Sequence, residues 1–371
     1  MTKKIPFFDY PKLFLNNKEH LVNIFENVGS KGAFILQNEL LEFERNLAKF
    51  SGSKFAVGVG NASDALQIGL KLGGIKEGDE IIISTHTMIA TAGSIIQVGG
   101  IPIPVDIGDD HLINYDLIEN HITSKTKAIM PTQLNGRTCN MDKIEKICKK
   151  YNLMIFEDAA QGLGSKFKGK GAGTFGVASA ISFYPAKNLG CLGDGGAILL
   201  NDEELYREVV AYRDHGRHSK TGEVISWGIN SRLDNLQAAF LSFFLDHYEN
   251  VIGRRRYIAQ LYNELLKDND QIELPPAPNN NSDHFDVYQN YEIRANNRDE
   301  LVKFLYDRGV GTLLQWSGKA IHHHKNLGFS SNLDIADKYF KKILMIPMNM
   351  FISDNDVYYI AEEINNFYRK S

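Results

Sequence analysis

One lysine stands out by its setting. In "AISFYPAKNLGCLGDGGAILL", Ala180 to Leu200, Lys187 follows a strand-like apolar run and precedes Gly190, Gly193, Gly195 and Gly196. A lysine in a partly desolvated site has its pKa lowered, and the neutral amine then attacks carbonyls to form imines. The glycines permit a tight turn or a close approach of backbone. A second run, "LMIFED", ends in Glu157 and Asp158, so a strand delivers acid at its carboxyl end. A third, "KFAVGVG", leads into "GNASDAL", where Asn61, Ala62, Ser63 and Asp64 open a helix. Amides at a helix start, with a hydroxyl beside them, bind anions.

Taken singly, these features are a loop lysine, a capping or ion-paired acid and an N-cap. Taken together they ask for one ligand with a phosphate, an aldehyde and a ring nitrogen that must stay protonated. Pyridoxal phosphate has all three. Lys187, which the strand-like run "SAISFY" delivers after Ser182, is then expected to hold the cofactor as an imine.

The elements that must position these residues are legible as alternation. "KFAVGVG", "DEIIIS", "AIMPTQ", "LMIFED", "SAISFY" and "GAILLN" read as strands, several with consecutive apolar residues, so both faces should be covered. Between them "MDKIEKICKKY" puts Met141, Ile144, Ile147, Cys148 and Tyr151 on one helical stripe. Such alternation predicts a wound α/β domain, whose ligands sit beyond the carboxyl ends of the strands. A long helical stretch from about Arg232 to Leu266 follows. Then come the polar connection "LPPAPNNNSDH", with an asparagine run at Asn279 to Asn281, and a smaller α+β region holding "YEIRA", "RDELVKFLYDRG" and "NDVYYIAEEINNFY". The expected division is 1–245 for the large domain and 246–371 for the small one, with the N-terminal segment packing on the latter.

The order of these blocks resembles the sugar-nucleotide aminotransferases of the DegT/DnrJ/EryC1/StrS family, fold-type I pyridoxal-phosphate enzymes. The likeness runs from "GAFILQNELLEFERNLAKFSG" through "VGVGNASDAL", "EDAAQ" and "SFYPAKNLGCLGDGGAI" to "GINSRLDNLQAAFL". It implies a three-layer wound sheet of the fold-type I kind. It also implies roles: Lys187 as imine-forming lysine and proton shuttle, Asp158 on the pyridine nitrogen, and Gln161 near the ring hydroxyl. Ala62, Ser63 and Ser182 would bind the phosphate, and Asn230 would reach it from the partner subunit, making the site a property of a homodimer. Family members with histidine at the lysine position are dehydratases; Lys187 favours transamination.

Two segments depart from the family pattern. Where an aromatic residue often stacks on the cofactor ring, "HTMIAT" aligns Met88, with His86 as the other candidate. Where many members have "HYP", this chain reads "LLQWSGKAIHHHKNLGF", from Leu313 to Phe329. Lys319 or one of His322 to His324 is a candidate substrate contact there; consecutive histidines diverge, so no metal is expected. In "YRDHGRHSK", His215, Arg217 and Lys220 are candidates for the substrate pyrophosphate.

The resemblance implies glutamate as donor and a nucleotide-linked keto sugar as acceptor. The first choice is dTDP-4-keto-6-deoxyglucose aminated at C4, with C3 amination of the 3-keto isomer as the alternative. The product would feed a surface polysaccharide such as the O-antigen of lipopolysaccharide, or a glycosylated natural product. A rival of another class is a non-catalytic regulator on the same fold.

The bulk sequence excludes other partners. Forty-one basic against 45 acidic residues leave a net charge of −4, which gives no footprint for nucleic acid or an anionic membrane. Three scattered cysteines in 371 residues suit a reducing compartment. The N-terminus lacks a signal-peptide apolar core and no run reaches membrane-span length, so a cytoplasmic location is expected.

Overall fold

The computed structural model describes residues 3–279 and 282–369, so part of the asparagine run at 279–281 lies outside the described residues. The larger body is built on β1 (Phe55–Val59), β2 (Glu80–Ser84), β3 (Ile101–Val105), β4 (Thr126–Met130), β5 (Met154–Asp158), β8 (Ala178–Ser182) and β9 (Gly196–Leu200). Between β5 and β8 lies a short hairpin, β6 (Lys166–Phe167) and β7 (Lys170–Gly171). The seven-stranded order is β1-β9-β8-β5-β4-β2-β3, and β9 alone runs antiparallel to its neighbours.

Alternate residues of these strands enter two different cores, so the sheet is the middle of three layers. Val57, Val59, Ala180, Ile198 and Phe156 face one core, shared with Ala65 and Ile68 of the helix Ala62–Leu72. Ala56, Ile181, Ala197 and Leu199 face the other, shared with Phe43, Leu47 and Leu241. Burial on both faces explains the consecutive apolar runs.

The strand "IPIPV" (β3) was not among the expected ones. Proline breaks ladder hydrogen bonds, so Pro102 and Pro104 argue against a strand in a sheet interior. The structure resolves this by position: β3 is the sheet edge and pairs with β2 alone. The expected long helix from Arg232 is two helices, Asn235–Asp246 and Tyr248–Leu266, broken at His247.

The second of these helices joins two cores. Its Tyr248 and Ile252 pack beneath the large sheet. Its Ile258, Ala259, Leu261, Tyr262 and Leu266 pack with a three-stranded antiparallel sheet of β10 (Ile272–Glu273), β12 (Tyr291–Ala295) and β13 (Ile343–Ile346), and with the last helix, Asp354–Arg369. The chain returns to the larger body at β11 (His284–Phe285), which pairs with β6. The N-terminal segment docks on the smaller core: Ile5 forms a bridge with Val310 and is buried there. Gly309 permits this contact, because a Cβ at its φ of +76° would lie 1.8 Å from the Lys3 carbonyl oxygen.

Candidate active site

A cavity of about 750 Å³ opens where the carboxyl ends of the large sheet meet the smaller domain. Lys187, Asp158, Gln161, Ala62, Ser63, Ser182 and Met88 all line it.

The phosphate end is a helix start. Asn61 Oδ1 accepts the Asp64 N–H at 2.9 Å and so caps the helix Ala62–Leu72. Ser231 fixes the same turn by accepting the Gly60 N–H at 3.0 Å and donating to Asp64 at 2.5 Å. β9 starts directly beneath it at Gly196, where a Cβ would stand 2.4 Å from the Asn61 carbonyl carbon. Ser63 and Ser182 bring hydroxyls to the cavity beside this helix end.

Of the acidic pair, the strand alternation sends each residue to a different task. Glu157 is fully buried away from the cavity and accepts the N–H groups of Gly173 and Phe175, the Gln133 amide and the Ser179 hydroxyl. Asp158 faces the cavity. Its Oδ2 accepts the Thr91 hydroxyl at 2.6 Å and its Oδ1 the Ala160 N–H at 3.2 Å. Burial raises its pKa, and Thr91, Ala160 and the Lys187 charge oppose that shift. The Thr91 bond ends a directed chain: Thr132 donates to Thr87 at 2.8 Å, and Thr87 and Thr91 stand 2.7 Å apart. Since Thr91 gives its proton to Asp158, Thr87 gives its own to Thr91.

Lys187 sits on a tight turn, with its N–H donating to the Tyr184 carbonyl at 2.8 Å. Gln289 grips that turn from the other domain by accepting the Asn188 N–H at 2.8 Å and donating to the Ala186 carbonyl at 2.9 Å. Burial lowers the Lys187 pKa to about 8, with Asp158 pulling the other way. Gln161 is oriented by its surroundings: its Oε1 accepts the Asn135 N–H at 2.8 Å, which leaves its NH₂ for the cavity.

The two ring-stacking candidates separate. Met88 is 44% exposed and lines the cavity, with its sulfur accepting the Ala90 N–H. His86 lies outside, buried between Tyr339 and Phe340 and 3.7 Å from Glu292, and burial lowers its pKa to about 3.

Five further candidates stand apart from the cavity of their own chain. Lys319 is exposed and does not line it; the wall is formed instead by Gln315 and Trp316, and the turn at Trp316–Gly318 carries Lys319 outward. His215, Arg217, Lys220 and Asn230 belong to an outward arm beginning at the Asp214–Asn230 bridge. Its Val224, Ile225 and Trp227 are exposed, Trp227 to 95%.

The expected divergence of the consecutive histidines does not hold: His322, His323 and Asp337 bring potential ligand atoms within 4.8 Å of one another. His322 and His323 both point Nε2 at Asp337 Oδ1, at 2.9 and 2.6 Å. His323 Nδ1 accepts the Ala320 N–H, so its proton sits on Nε2 and is donated to Asp337. A metal would need that Nε2 lone pair free.

The residues missed by sequence reasoning were Thr87, Thr91 and Thr132, together with Gln289, Gln315 and Trp316. Thr87 lies before Met88, the N-cap of the helix Ile89–Gln97, so helical periodicity did not mark it in the sequence.

A profile of the DegT/DnrJ/EryC1/StrS aminotransferase family matches residues 16–365. The chain belongs to this family. A dTDP-3-amino-3,6-dideoxy-alpha-D-galactopyranose transaminase from Aneurinibacillus thermoaerophilus is 36% identical, covering 98% of this chain and 99% of its own. A "pleiotropic regulatory protein" from Geobacillus stearothermophilus is also 36% identical, with the same coverage. The crystal structure of DesV from S. venezuelae superposes with a TM-score of 0.93 at 32% identity, over 99% of both chains.

The protein is thus a pyridoxal-phosphate-dependent aminotransferase whose relatives include sugar-nucleotide transaminases. The cavity fits that cofactor by its donor set. It offers a helix start with two serine hydroxyls, a buried carboxylate for which burial favours a cationic partner, and a lysine with a lowered pKa. Among the described residues, no helix is long and apolar enough to cross a membrane.

Proposed function

We propose that this enzyme transfers the amino group of L-glutamate to the C3 ketone of a dTDP-linked 3-keto-6-deoxyhexose. One observation carries the sugar assignment. Lys187 is the one cation that the described residues of this chain bring to the cavity lining, and the small-domain side includes an apolar patch of Leu313, Leu314 and Met345. A C6 methyl group suits that patch, where this chain places no cation for a C6 carboxylate or phosphate. The dTDP-3-amino-sugar relative moves the reading from C4, the first choice from sequence, to C3.

The bound cofactor supplies an electron sink for the carbanion formed when the amino-acid α-proton leaves. Lys187 would take that proton and return it in the second half of the exchange. Its pKa of about 8 suits both directions near neutral pH. Asp158 would hold the ring nitrogen protonated, and the Thr91 hydrogen bond favours the ionised carboxylate against the burial that raises its pKa. Gln161 would donate to the ring hydroxyl, and Ser63, Ser182 and the amides at Ala62 would hold the phosphate. Met88, which also lines the cavity, would cover one face of the ring.

The phosphate cup is finished by Asn230 of a second copy, and the arm with His215, Arg217 and Lys220 brings the cations that the substrate diphosphate requires. The exposed apolar residues on that arm support its being covered in a homodimer. The product enters a surface polysaccharide such as O-antigen, made in the cytoplasm.

The test is direct. Glutamate and dTDP-3-keto-6-deoxyhexose, or its 4-keto isomer, are mixed with the enzyme, and the product nitrogen is located by NMR. Nitrogen at C3 is expected; turnover of the 4-keto isomer alone would restore the C4 reading. A colourless protein that takes up no cofactor would instead favour a regulatory role of the kind named for the Geobacillus relative.

A further inference from the structure

Gln315 contributes to the small-domain side of the cavity and is 2% exposed, yet neither its Oε1 nor its Nε2 has a hydrogen-bond partner. Its neighbour Trp316 also lines the cavity, and the indole Nε1 is likewise buried without a partner. Buried polar groups are normally paired, because leaving one unpaired forfeits its hydration. A leucine or methionine at 315 would avoid that cost.

The backbone here is strained as well. Trp316 and Ser317 both have left-handed φ, +52° and +56°, although neither is glycine. Such residues persist where the surroundings over-determine them, and they concentrate at ligand sites. The surroundings are visible on both sides. Leu313 pairs with Met345 before the turn, and the Ile321 N–H donates to the Thr85 carbonyl at 2.9 Å after it. The His322–Asp337 and His323–Asp337 bonds add a second anchor.

The ligand chemistry follows by elimination. The polar groups of the cofactor already have partners in Ser63, Ser182, Asp158, Gln161 and Lys187. An anionic group held on this wall would call for a cation there, and the described residues of this chain that form it, Leu313, Leu314, Gln315, Trp316 and Met345, carry no charge. A side-chain amide donates and accepts at once, as a hydroxyl does. We propose that the Gln315 amide, with the Trp316 indole N–H beside it, is the site that hydrogen-bonds a ring hydroxyl of the sugar substrate. This rests on the sugar-nucleotide reading above.

The experiment compares wild type with Gln315→Met in the cofactor-loaded enzyme. Three quantities are measured: kcat/KM for the dTDP-3-keto-6-deoxyhexose, kcat/KM for analogues lacking one ring hydroxyl each, and the rate of the glutamate half-reaction. The expected result is a fall of at least about tenfold in the ratio of sugar to glutamate efficiency. One deoxy analogue, poor with wild type, should be handled by the variant as well as the full sugar is. The variant should also melt at the same or a higher temperature, since an unpaired buried amide is gone. An unchanged ratio overturns the proposal, as does an equal fall in the glutamate half-reaction, which would assign Gln315 to donor or cofactor. Wild-type enzyme that reacts with glutamate but aminates no sugar nucleotide would overturn the underlying reading, and this proposal with it.

Discussion

The lowered pKa of Lys187 should be readable as the pH dependence with which stripped enzyme recaptures its cofactor. Only the neutral amine forms an imine. With a pKa of about 8 instead of the ordinary 10.5, roughly one lysine in eleven is neutral at pH 7, against about one in 3000. That is a gain of about 300-fold in reactive amine at neutral pH. Apoenzyme is mixed with excess pyridoxal phosphate at pH 6 to 10, and imine absorbance is followed. Rates are normalised to those of N-α-acetyl-lysine, which cancels the titration of the cofactor itself. The normalised advantage should be greatest below pH 8 and shrink toward pH 10.5. An advantage independent of pH would refute the reasoning, because burial would then have left the amine unchanged. Asp158→Asn should move the midpoint lower, since the carboxylate raises the Lys187 pKa. The linkage has a definite sign: between about pH 8 and 10.5 the folded apoenzyme binds fewer protons at this site than the unfolded chain. Its contribution to stability therefore rises with pH across that window.

Three other outcomes are expected. Thr91→Val removes a hydrogen bond to a charged acceptor, typically about 1.5–3 kcal/mol, so the glutamate half-reaction should slow by roughly 10- to 100-fold, most at low pH, and Thr91→Ser should restore it. Stopped-flow rates within twofold of wild type would count against the threonine chain. Glu292, buried and pushed up to about 7, keeps its proton in the folded state while the unfolded chain loses it. Stability should therefore fall as pH rises from about 4.5 to 7; in denaturant titrations Glu292→Gln should flatten that slope. Lys187→Ala and Asn230→Ala homodimers should each be impaired, yet their mixture should regain activity, because one of the two sites in a mixed dimer has both native residues. Mixing without recovery would mean that Asn230 serves no partner.

That Lys187, Asp158 and Ser63 would meet in one cavity was legible in sequence because the proposed chemistry restricts residue type. An imine needs a primary amine, a protonated ring nitrogen needs a carboxylate, and a phosphate needs helix-start amides. Lys187, Asp158 and Ser63 had no substitutes to hide behind, and the runs that carry them end where the sheet ends. The strand β3 was hidden because Pro102 and Pro104 are compatible only with an edge, and edge position is a property of the whole sheet. The break at His247 was hidden for a similar reason: the same helical periodicity runs on both sides of it, while the two halves serve different cores.

Substrate recognition was illegible for a deeper reason. A glutamine in a sequence carries no mark of whether its amide is paired. Gln161 and Gln315 look alike as letters, yet one spends its carbonyl on the Asn135 N–H and the other has no partner at all. The same holds for Gln289, whose amide is consumed at both atoms in gripping the lysine turn. Three glutamines thus differ in what their amides bond, one at its carbonyl alone, one at both atoms and one at neither, and only the accounting of donors and acceptors separates them. In the same segment as Gln315, Lys319 does not line the cavity of its own chain. A charge draws attention in a sequence, but charge prefers solvent, and Lys319 is exposed. The neutral amide four residues earlier is what the strained turn holds inside.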